Sequence, residues 1–174
     1  MNFCTQCGAK VELRIPEGDS HLRHVCPRCG EIHYLNPKLV IGCIAEWEDR
    51  ILLCRRAIEP RYGLWTLPAG FMENGESTLQ AALRETLEEA QARVEIEHLF
   101  ALVNLPHISQ VHLFYRGRLL DTGFGAGEES LETSLFSEKE IPWDRLAFSS
   151  VTLCLQKYFS DRGSGRFGFH EAAL

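Results

Sequence analysis

Four cysteines, set as Cys4-x2-Cys7 and Cys26-x2-Cys29, constrain this chain more than any other feature of its sequence. Eighteen residues separate the pairs, a spacing at which each pair can place two thiolates on one ion and complete a tetrahedron. Gly8 and Gly30 follow the pairs, where a tight knuckle needs positive φ. So short a segment cannot hold itself together by a hydrophobic core, and a zinc staple gives it a reason to fold. The expected zinc ligands are Cys4, Cys7, Cys26 and Cys29, and a site closed by four thiolates is structural. His21, His24 and His33 lie nearby and are expected at the surface. Disulfides are the alternative, but Met1–Lys10 contains no apolar export region, so a reducing, cytoplasmic setting is expected. Cys43, Cys54 and Cys154 fall in apolar stretches and read as buried small hydrophobes.

Asn36-Pro37 closes this segment, which divides the chain into a domain over 1–36 and another over 37–174. Leu39–Trp47 and Arg50–Arg56 read as a strand hairpin, and Leu64–Pro68 as a short extended piece. Ser77–Ala90 has helical periodicity; Val94–Val103, Val111–Leu120 and Leu131–Phe136 read as strands, and Ser149–Tyr158 as a second helix. Asp121–Gly127 is a glycine-rich loop, and the tail from Ser160 is expected to be loosely held. No apolar run is long enough to span a bilayer, so no membrane partner is expected. The formal net charge of −6 argues against a general nucleic-acid binder. It also means that an anionic substrate would need local arginines or metal ions.

Within the first long helix, Leu79, Leu83, Thr86, Leu87 and Ala90 fall on one stripe, expected to face the core. Glu85, Glu88 and Glu89 fall together on roughly the opposite side. Three carboxylates on one patch repel each other, and a hard divalent cation such as Mg²⁺ or Mn²⁺ would offset that. A solvated acidic face is the plainer reading of glutamates alone. The loop before them and the arginine among them favour a chemical role over a solvated face.

Gly70, Glu76, Arg84, Glu85, Glu88 and Glu89 stand at the spacings of the box G-x5-E-x7-R-E-U-x-E-E-x-G-U, where U is bulky and apolar. The chain thereby resembles the Nudix family over residues 70–92. Two positions depart: Thr86 is less apolar than usual, and Gln91 replaces a glycine at the helix exit. The resemblance implies an α+β fold, a mixed β-sheet sandwiched between helices, preceded by a small four-cysteine zinc ribbon. It implies that Glu88, Glu89 and the Gly70 carbonyl hold divalent ions, that Glu85 is a ligand or the base activating water, and that Arg84 orients the carboxylates by pairing with Glu76.

The likeness extends to zinc-ribbon enzymes that hydrolyse ADP-ribose and FAD, through IPEGDSHLRHVCPRCG, NPKLVIGC, GLWTLPAGF and LAFSS. It implies a small nucleotide substrate and a homodimer. A related branch acts on NADH and NAD-capped RNA and carries S-Q-P-W-P-F-P-x-S; here Ala101–His107 stands in its place. A zinc-ribbon binding module with a vestigial hydrolase domain is a third reading; it predicts decay of the glutamate set, which is intact. Pro106 follows the box at about the distance that ADP-ribose enzymes favour. Glu129, after the glycine-rich turn, is a candidate further ligand or base, with Glu132 its rival. Arg55 and Arg56 are candidate phosphate contacts, of which strand alternation allows one to point inward. Trp65, Phe71 and Phe114 are candidate stacking partners for adenine or flavin.

Overall fold

The structure, a computed structural model, describes all 174 residues, Met1–Leu174. The chain divides into two compact units, Met1–Pro37 and Lys38–Leu174. In the first, β1 (Glu12–Arg14), β2 (Arg23–Val25) and β3 (Ile32–His33) form an antiparallel sheet in that order. The cysteine pairs lie in tight turns, where the Gly8 N–H donates to the Cys4 carbonyl and the Gly30 N–H to the Cys26 carbonyl, each at 3.0 Å. Both glycines take positive φ, 70° and 78°. The buried apolar cluster of this unit is only Cys4, Val11 and Cys26, too little to fold on.

In the second unit β4 (Lys38–Trp47) and β5 (Arg50–Arg56) make the expected hairpin. β6 (Trp65–Thr66) pairs with β5, and β7 (Ala69–Phe71) with β4. Then come α1 (Thr78–Ala90), β8 (Val94–Leu105), β9 (Gln110–Leu119), β10 (Ser130–Phe136), α2 (Ser149–Ser164) and β11 (His170–Ala173). The sheet runs β10-β5-β4-β9-β8-β11 and is mixed, because β4 lies parallel to β9 and β8 parallel to β11. Strand alternation along β4 feeds two cores. Cys43 and Ala45 pack with Ala90 at the end of α1, and Ile44 belongs with Val151, Leu155 and Tyr158 of α2. The sheet is thus sandwiched between the two helices. Cys43, Cys54 and Cys154 are fully buried and unpaired. No helix is long and apolar enough to cross a membrane.

Two expectations are corrected. The tail is not loose: α2 runs on to Ser164, and β11 adds to the edge of β8, where it satisfies backbone groups that would otherwise be open. The Asp161 carboxylate ties that return, accepting from the Gly168 N–H at 2.9 Å with His170 Nε2 at 2.8 Å. The face of α1 is also different. Its buried residues are Ala81, Ala82, Glu85, Thr86, Glu89 and Ala90, while Leu79 and Leu87 are exposed. Alanines face the sheet and let the helix approach closely, and two of the three glutamates share that inward face.

Candidate active site and zinc centre

The four cysteine sulfurs lie within 4.8 Å of one another. Cys4 Sγ is 3.7 Å from Cys29 Sγ, and Cys7 Sγ is 3.5 Å from Cys26 Sγ. A tetrahedral zinc with bonds near 2.3 Å needs sulfurs roughly 3.8 Å apart, so the cluster fits that ion. Backbone N–H groups of Cys29 and Arg28 draw the Cys26 thiol down to about 6, against the burial that opposes it.

In the larger unit the acidic residues converge because three elements meet. β7 brings Ala69 and Gly70 beside α1, where the Ala69 N–H donates to Glu89 Oε2 at 3.0 Å. A Cβ on Gly70 would meet the Glu85 carboxylate, so a larger residue there would push that side chain aside. Arg84 organises the rest. It donates Nε and Nη2 to Glu76 at 3.1 and 2.7 Å, and Nη1 to Glu85 at 2.6 Å and to Glu88 at 2.9 Å. Its Nη2 also reaches the Phe71 carbonyl at 3.1 Å. Glu76, so paired, is held below the usual carboxylate range. Burial pushes Glu85 up against the pull of Arg84, and burial pushes Glu89 up to about 7. Desolvated carboxylates with oxygen-only donors are what a hard divalent cation fits.

Thr86, one departure from the box, is fully buried and satisfies its hydroxyl by donating to the Ala82 carbonyl at 2.7 Å. Gln91, the other, takes the left-handed conformation itself (φ 48°, ψ 27°), so the helix turn survives without glycine. The glycine-rich loop then closes on the end of α1: the Gly125 N–H donates to the Ala90 carbonyl at 2.9 Å, and the Gly127 N–H to the Glu89 carbonyl at 3.0 Å. A Cβ on Gly127 would collide with the Glu88 carbonyl. The loop leads into Glu128 and Glu129, whose backbone is tied across to β5 through the Ala57 N–H at 2.8 Å.

These groups line one cleft of about 1010 Å³, ample for a dinucleotide-sized ligand. Gly70, Arg84, Glu85, Glu88, Glu89 and Glu129 all face it. Glu132 does not; it pairs with Arg55 at 3.1 Å away from the cleft. Arg55 as a phosphate contact is therefore corrected, and its neighbour Arg56 is the inward one. Arg56 is buried, donates Nε to the Pro60 carbonyl at 2.9 Å, and stacks its guanidinium over the Phe148 ring at 5.2 Å. Trp65 is also corrected: it is buried edge-on to Phe136 in the core, because β6 turns it away from the cleft. Phe114 reaches the cleft only as a buried wall beneath His112. The exposed ring at the mouth is Phe71, with Lys38 Nζ 4.8 Å above it.

Among the cleft residues that sequence reasoning missed are Phe148, Ser150, Gln110 and His112. Alternation along β9 from Phe114 would have found the last two, since 110, 112 and 114 share a face. His112 is buried between Ser150 Oγ and Gln110 Oε1, each 3.0 Å from a ring nitrogen, and its pKa is lowered to about 4 by burial.

Residues 36–150 match the family profile described as the NUDIX domain, and residues 2–35 match the Nudix N-terminal zinc ribbon. An ADP-ribose pyrophosphatase of Methanocaldococcus jannaschii is 31% identical over 119 residues, 66% of this chain and 69% of that protein. The NAD-capped RNA hydrolase NudC of Stutzerimonas stutzeri is 35% identical over 91 residues, 50% of this chain but only 30% of that protein. A crystal structure of a NUDIX hydrolase from Nitrosomonas europaea superposes with a TM-score of 0.97 at 56% identity, covering 100% of this chain and 99% of that one.

Proposed function

From the premise that the chain belongs to the Nudix family of hydrolases, we propose that it cleaves the diphosphate bridge of ADP-ribose, giving AMP and ribose 5-phosphate, and of FAD, giving AMP and FMN. The observation that carries this reading is the gathering of Glu85, Glu88, Glu89 and Glu129 on one cleft that also holds an inward arginine, Arg56. That set suits a diphosphate once its glutamates hold divalent cations, since those ions together with Arg56 would supply the positive charge that the acidic whole lacks.

Glu85, Glu88, Glu89 and the Gly70 carbonyl would hold Mg²⁺ or Mn²⁺, which would neutralise the diphosphate and acidify the attacking water. Arg84 keeps Glu85 and Glu88 oriented while Glu76 holds Arg84 in place. Glu129 takes the proton of the water, because its carboxylate makes no hydrogen bond whereas Glu85 is tied to Arg84. The water oxygen bonds to one phosphorus and stays there, the bond from that phosphorus to the bridging oxygen breaks, and the other phosphate leaves with the bridging oxygen. Arg56, whose charge is felt by Glu89, would contact the phosphates from beside the carboxylates.

The segment 1–36 serves as a structural zinc ribbon and 37–174 as the hydrolase domain. All seven cysteines are unpaired, which suits a cytoplasmic setting. A homodimer, implied by the family resemblance, is testable by sedimentation. The functional test is a product assay with Mg²⁺ across ADP-ribose, FAD, NADH and NAD-capped RNA. AMP with ribose 5-phosphate or FMN is the expected outcome; turnover of NADH or capped RNA alone would replace this reading with the one that the NudC likeness suggests.

A further inference from the structure

Resting on the reading above, we propose that Gln110 is a specificity-determining residue that offers its amide N–H groups to an uncharged acceptor of the group attached to the diphosphate, held in place by a His112–Ser150 pair.

The Gln110 side chain is half-buried at the start of β9 and lines the cleft. Its Oε1 lies 3.0 Å from His112 Nε2, and His112 Nδ1 lies 3.0 Å from the buried Ser150 hydroxyl at the first turn of α2. Burial keeps this imidazole neutral, so it carries one N–H. With Gln110 Oε1 accepting, that hydrogen is on Nε2, and Nδ1 accepts from Ser150. Every polar atom of the His112 ring is then used inside the protein. What remains free is the Gln110 amide nitrogen, whose two hydrogens make no bond within the chain, on a residue that lines the cleft. A neutral donor on a fixed arm selects an uncharged oxygen or nitrogen acceptor, such as a sugar hydroxyl or a ring carbonyl.

Position agrees with this. Gln110 pairs with Lys38, and three residues further along β4 Ile41 pairs with Gly70 on the far side. Two strand spacings and three residues of rise separate the Gly70 and Gln110 backbones by roughly 14 Å. That exceeds a diphosphate and reaches the group joined to it. Lys38, the register partner of Gln110, sends its ammonium over Phe71, Arg84 is committed to three glutamates, and Arg56 stacks on Phe148, while Arg61 also lines the cleft.

The test is steady-state kinetics of the full chain on ADP-ribose and FAD, comparing wild type with Gln110→Met and His112→Phe. Gln110→Met keeps the shape and removes the donors. The expected result is a KM raised about five- to tenfold with kcat little changed, in Gln110→Met and again in His112→Phe. Equal shifts for both substrates would place the contact on their shared AMP half; unequal shifts would place it on the other half. A folded Gln110→Met with unaltered KM for both, or with kcat lowered at constant KM, overturns the inference alone. A wild-type protein inactive on both substrates would remove the functional reading and the inference with it.

Discussion

In the ribbon unit, four sulfurs crowd within 4.8 Å of one another with nothing but backbone N–H groups and each other as partners. In the larger unit, one guanidinium bridges Glu76, Glu85 and Glu88, and a backbone N–H holds Glu89. The contrast separates a cluster that needs its ion to exist from one that the fold assembles beforehand. The ribbon has almost no core, so the staple and the fold are one event. The glutamate cluster is mounted on a helix and sheet that fold on their own burial, and it keeps an open side toward the cleft. Closed thiolates suit structure; open, oriented carboxylates suit turnover.

Zinc removal gives the largest effect. Cys26→Ser, or a strong chelator, should unfold Met1–Pro37, since structural zinc is worth roughly 10–16 kcal/mol in such peptides. Metal analysis should find one zinc per chain, and loss of dispersed amide resonances from this unit should follow its removal. A ribbon that stays ordered without metal would break the contrast.

Next comes the open cluster. Glu129→Gln should lower kcat by about 10²- to 10⁴-fold without lowering Tm, whereas Glu132→Gln should leave kcat near wild type. Equal losses from both would mean that the cleft does not distinguish them.

A smaller effect concerns stability against pH. His112 titrates near 4 when folded and near 6.5 when unfolded, so protonation favours the unfolded chain. Full stability is expected above pH ~6.5, with about 2–3 kcal/mol lost as pH falls toward 4. Urea titrations at pH 7.5 and 4.5 should show this loss reduced in His112→Phe; an equal loss of unfolding free energy in both proteins would contradict it. The smallest effect is at the surface: Arg55→Ala breaks its pair with Glu132 and should cost under about 1 kcal/mol, with kcat unmoved.

The two clusters also differ in how far they could be read from sequence. The cysteine spacing dictates its own geometry, so all four members of the cluster were legible. The glutamate spacing announced a site, but Glu85 and Glu89 face inward, against the expectation set by Leu79 and Leu87. Periodicity weighs leucines above alanines, while close packing against Ile41 of β4 rewards Ala81 and Ala82. The choice of Arg56 over Arg55 and of Glu129 over Glu132 needed strand register and a loop path, which are tertiary facts. LAFSS was visible as a motif, yet nothing local says that Phe148 backs Arg56 or that Ser150 meets His112 thirty-eight residues away in sequence.

The most direct trial of the account is a crystal grown with Mn²⁺ and analysed by anomalous scattering. Peaks among Glu85, Glu88, Glu89 and the Gly70 carbonyl, with Arg84 still on Glu76, are the predicted result. A fully loaded crystal showing no manganese beside these glutamates would contradict it.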